Sequence, residues 1–154
     1  MRRILFAAFI FCFVLSYAKT EIPDALSDAK TAYVGNDGAV AKDVEKLSKL
    51  LADWGRFQIV EDRTKADIVI TLSTQVQTRT IRLPSTGGGL GGINSQQVLV
   101  STIRIFNTKD SSTLYTDETG GDSKDPKQLV DRLKHKMKKK DKDSEKNKEK
   151  EKKD

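Results

Sequence analysis

The sequence predicts an α/β (α+β) fold, a two-layer sandwich in which a mixed sheet of four to five strands carries two helices on one face. Three observations predict it. Residues 30–60 read strand, helix, strand; a long alternating stretch from Ala66 is followed by a second apolar run; and a last helix opens at Asp125-Pro126.

In chain order, Lys30 to Gly35 forms a short first strand, and Asn36-Asp37-Gly38 supplies turn and capping residues behind it. Val40, Val44, Leu47, Leu51 and Trp54 then recur at spacings of four and three, one apolar stripe on a helix of about four turns. Gly55 ends it. Such stripes are usually core, so the Trp and Leu positions are assigned to packing and not to a cofactor groove.

Phe57 to Val60 resumes as a strand, and Glu61 to Lys65 is a charged turn. From Ala66 the chain alternates, with Ile68, Ile70, Leu72 and Val76 on one face and Asp67, Val69, Thr71, Ser73, Gln75, Gln77 and Arg79 on the other, the pattern of a sheet covered on one side. Val98 to Phe106 is apolar enough for a central strand. Asn107 to Ser112 turns the chain into a short strand at Leu114-Tyr115, and Gly120-Gly121 break it. Asp125 caps the final helix with Pro126 at its first position, and Leu129, Val130 and Leu133 share one face. A strand–helix–strand opening implies a crossover connection, and the later hairpins make the sheet mixed. No internal repeat is present.

The ends of the chain differ in kind from its middle. Arg2-Arg3 followed by the twelve-residue apolar run Ile4 to Leu15 and by Ser16-Tyr17-Ala18 has the layout of a secretory signal peptide over residues 1–18, with cleavage expected between Ala18 and Lys19. The run is shorter than the roughly 20 residues a spanning helix requires, so no transmembrane segment is expected after cleavage. Bulky Phe9-Ile10-Phe11 argue against lipid attachment at Cys12, and Arg2-Arg3 lacks the polar setting of a twin-arginine signal. The expected location is periplasmic or secreted. Cys12 is the single cysteine and leaves with the leader, so the mature chain holds no disulfide and no thiolate.

Net charge is +6, yet residues 19–135 balance 16 basic against 16 acidic side chains. The excess lies in Arg2 and Arg3 and in residues 136–154, which hold ten Lys and six acids. A nucleic-acid-binding domain carries its positive charge on the folded part, so no specific nucleic acid is expected as partner. With Met137 as its one hydrophobic residue, the 136–154 segment is expected to be a disordered tail after a single domain at 19–135. Such a tail acts either as a solubilising extension or as an electrostatic tether to an anionic surface.

The pieces Ala29-Lys30-Thr31-Ala32-Tyr33-Val34, Trp54-Gly55-Arg56-Phe57, Lys65-Ala66-Asp67-Ile68-Val69-Ile70 and the hairpin from Ile103 to Tyr115 resemble a group of small exported bacterial envelope proteins of unknown function, seen notably in acidobacteria. The layout is also similar to the amino-terminal domain of TolB and to curli-type secretion lipoproteins, in topology only. The resemblance covers residues 24–135 and implies fold and compartment. It carries over no catalytic or binding residue, and the Lys-rich tail departs from it.

Two motifs match by letter and fail on context. Leu83-Pro84-Ser85-Thr86-Gly87 has the form of a sortase signal but no hydrophobic segment follows it. Gly87, Gly89 and Gly92 have dinucleotide-loop spacing, yet a strand and not a helix comes next, so residues 84–95 read as a Gly-rich hairpin loop. His135, the single histidine, has no second imidazole to share a metal. Glu61, Asp62 and Asp67 are interleaved with Arg63 and Lys65, as in a solvated charged turn.

No catalytic, cofactor or metal residue is therefore assigned, and a carboxylate enzyme ranks last among the functions considered. The candidate binding face is Thr71, Ser73, Gln75, Gln77 and Arg79, joined by Arg104 from the partner strand; an ordinary wet sheet face has the same pattern. The expected function is a non-enzymatic exported domain that binds an envelope protein or glycan through this face and the hairpin tip. The alternative is a tether acting through the tail.

Overall fold

A computed structural model describes residues 22–82, 93–120 and 125–151. The expected signal peptide and its Ala18–Lys19 junction, the sortase-like motif and most of the Gly-rich loop lie outside the described residues. The sheet has five strands in the order β2-β1-β3-β4-β5. β1 (Thr31–Asn36) runs parallel to both β2 (Gln58–Ile59) and β3 (Ile68–Arg82). β3 is antiparallel to β4 (Ile93–Asn107), which is antiparallel to β5 (Thr113–Gly120). The helices are α1 (Asp24–Ser27), α2 (Ala41–Trp54) and α3 (Pro126–Glu151).

The mixed two-layer architecture is the expected one. Alternation on β3 sends Ile68, Ile70 and Leu72 to one side, where Ala32, Ile103, Ile105 and Tyr115 join them. Leu47 and Leu51 of α2 and Leu129, Val130 and Leu133 of α3 close over this surface in the same cluster, so both long helices cover one face. Gly55 stops α2 in the left-handed conformation at φ 69°, where glycine avoids the Cβ clash. Asp125 caps α3 by accepting from the Lys127 amide at 2.9 Å.

Asp67 fastens β3 to β1. Its carboxylate accepts from the Lys30 and Thr31 amides and from Thr31 Oγ1, each at 2.9 Å, while its own amide donates to Thr31 Oγ1. These donors hold its pKa below the ordinary value.

Four expectations about the elements and their bounds need correction. Val40 is 62% exposed because it precedes the helix as its cap and adds nothing to the stripe. α1, with Leu26 fully buried, is an element too short to show periodicity. The Gly-rich segment is shorter than 84–95, since β4 already begins at Ile93.

The fourth concerns the tail. Residues 136–151 are not disordered; they continue α3, a helix of 26 residues and about 39 Å. Met137 falls one turn beyond Leu133 and is 1% exposed in the core. Arg56 then binds Asp141 at 3.1 Å and the Ser27 carbonyl at 2.9 Å, and Lys140 pairs with Asp24 at 3.0 Å. Lys and Glu are good helix formers, and lysines are favoured near a helix carboxyl end. One buried side chain and two ion pairs thus extend the domain past its expected boundary at His135.

Candidate functional site

Unequal strand lengths create the most distinctive surface. β1 keeps pace with β3 only to the Asn36–Leu72 pair, and β5 with β4 only to the Val100–Gly120 pair. The β3–β4 ladder runs on to Arg82–Ile93. Residues 76–82 and 93–99 therefore pair only with each other among the described strands, a two-stranded arm about 23 Å long with both edges bare.

The arm is polar on both sides. On one side Gln75 and Gln96 are exposed and Gln77 is partly so, with Val98 and the buried Val100 between them. On the other, Thr78, Thr80, Ser95 and Gln97 are exposed. Val76 also lies there, 61% exposed beside the half-buried Leu99. Val76 was expected in the core with Ile68, Ile70 and Leu72. It has their phase, but beyond Leu72 and Ile103 it lacks their cover.

The structure brings the predicted face together and divides it. Thr71 stands opposite Arg104, Ser73 opposite Thr102, Gln75 opposite Val100, Gln77 opposite Val98 and Arg79 opposite Gln96. Ser73 is 3% exposed and so presents little to a partner, and Thr71 is half-buried. Arg104 contacts Asp37 at 3.3 Å. Gln75 and Gln77 remain as described side chains available on that face. Sequence reading missed Thr78, Thr80, Gln96 and Gln97. Their signal was legible: from Gln77 to Thr80, and again from Ser95 to Gln97, both phases of the alternation are polar, which marks a strand with neither face packed.

Elsewhere the charged clusters serve structure. Asp62 accepts from the Thr64 amide and hydroxyl, which lower its pKa, and caps the 3₁₀ turn Arg63–Lys65. Tyr115 donates to Asp117 at 3.0 Å, Arg132 binds the same carboxylate at 2.8 Å, and the Lys136 ammonium sits 4.8 Å from the Tyr115 ring centre. Burial above all, then the Asp117 charge, pushes the Tyr115 phenol strongly up. Among the described residues no group of three or more His, Cys, Asp or Glu is placed to hold a metal ion, and no helix is long and apolar enough to cross a membrane. His135 is exposed.

No family model matches the chain, and no curated protein matches it. Among solved structures, the solution NMR structure of an uncharacterized lipoprotein B from Nitrosomonas europaea is similar over 79% of this chain and 76% of its own, at 15% identity and a TM-score of 0.36.

Proposed function

We propose that this is a non-enzymatic binding domain of the cell envelope, exported by its amino-terminal leader, which grips an envelope protein or polymer through the β3–β4 arm. One observation supports it above the others: the arm stands clear of the helix layer and displays amide and hydroxyl side chains on both faces. Isolated two-stranded ribbons are marginally stable in water, so a long one is kept at a cost that an interaction can offset. Glutamine and threonine at alternate positions suit hydrogen bonding to peptide backbone or to sugar hydroxyls.

The test is capture from the organism's own envelope extract at moderate salt. The parent chain should retain a discrete protein or glycan, and Gln75→Ala/Gln77→Ala should lose it while keeping the parent's denaturation midpoint. Equal capture by both chains, or none by the parent, overturns the reading.

A further inference from the structure

From Lys134 to Lys146, the described lysines of α3 divide into two sets. Those turned toward the domain have partners: Lys134 lies 5.6 Å from the Trp54 ring centre, Lys136 lies over Tyr115, and Lys140 pairs with Asp24. Lys138, Lys139, Lys142 and Lys146 are exposed, and none makes an ion pair among the described residues. Helical spacing puts these four opposite the buried stripe of Leu129, Leu133 and Met137. They form one cationic row, about 12 Å long from Lys138 to Lys146. Asp131, Asp143 and Glu145 stand at its margins. The neighbouring α2 adds no excess, because its exposed Lys42 and Lys49 are balanced by Glu45 and Asp53.

We infer that this outward row of α3 is a docking surface for an anionic lipid bilayer, separate from the arm. Charge complementarity selects the occupant, and the chemistry of the row selects the mode. The apolar side of α3 is spent in the core, so the helix adsorbs at headgroup level and inserts nothing. Among the described residues the row has no aromatic side chain on which bases could stack, while a straight line of ammonium groups fits a flat negative surface. An ordered helix holds the charges on one side, where a flexible tail would scatter them.

The test is co-sedimentation of the full chain, as its host processes it, with vesicles of phosphatidylglycerol and phosphatidylcholine in about a one-to-two ratio. Binding is expected at about 0.1 M salt and release at about 1 M, where the screening length falls to about 3 Å. Lys138→Gln/Lys139→Gln/Lys142→Gln should weaken binding on the order of 100-fold. An equal charge removal elsewhere, Arg63→Gln/Lys65→Gln/Lys109→Gln, should change it by less than about threefold. Gln keeps helix propensity, and unchanged circular dichroism confirms folding. Equal loss in both variants, no preference for anionic over neutral vesicles, or binding to soluble polyphosphate with none to vesicles each overturns the inference.

Discussion

Met137→Ala tests whether the Lys-rich end belongs to the folded domain. The side chain is 1% exposed and packs in the cluster of Leu129, Val130 and Leu133. Truncation of a buried Met costs about 2–5 kcal/mol, from lost burial plus the cavity left behind. Met137 sits where the sheet's cover ends and α3 can relax toward it, so the lower half of that range applies, about 3 kcal/mol. With a urea slope of about 2 kcal/mol per molar, the midpoint should fall by about 1.5 M. The melting temperature should fall by about 12 °C. The neighbouring Lys138→Ala removes an exposed side chain and should move the urea midpoint by less than about 0.2 M. If Met137→Ala and Lys138→Ala give the same small shift, the helix does not close the core and the boundary at His135 stands.

Three further outcomes follow from the same contacts. Gly55→Ala should cost about 1 kcal/mol in urea denaturation, because the αL conformation at φ 69° suits glycine. Asp67 has a folded pKa below its ordinary 3.8, so the stability it contributes is complete above that value and is lost as pH falls through the folded value; Asp67→Asn should lower stability at pH 7 and flatten the acid limb of the stability profile. In an alkaline spectrophotometric titration, one tyrosine should stay protonated at about pH 11 until the protein unfolds, and Tyr115→Phe should abolish that masked step.

What could be read from the sequence depended on whether a single residue's surroundings were local. The α2 stripe from Val44 onward, the Gly55 stop, the Asp125 cap and the crossover from β1 through α2 are set by near neighbours, and each stands where the local sequence puts it. Met137 is different. One hydrophobic residue among nineteen carries no period, and its burial depends on Leu133 one turn before it and on Arg56 fastening Asp141 from a distant element. Val76 failed for the opposite reason, having the right phase on β3 with no layer above it. Of the predicted face, Arg104 lies on the neighbouring strand, opposite Thr71, a register that alternation alone does not set, and the burial of Ser73 depends on packing that alternation does not encode.

The place of Met137, on a helix that follows all five described strands in the chain, also sets an order of events in biosynthesis. Synthesis runs from the amino end, so β3, β4 and β5 precede α3, whose Leu129, Leu133 and Met137 complete the core cluster with Ile103 and Tyr115. Until α3 docks, any sheet that forms has one face uncovered and its β3–β4 edges bare, at its greatest hazard of pairing with a neighbour. A fold whose last helix is its lid cannot finish early, and a chaperone that shields the long hairpin has the whole interval of α3 synthesis in which to act.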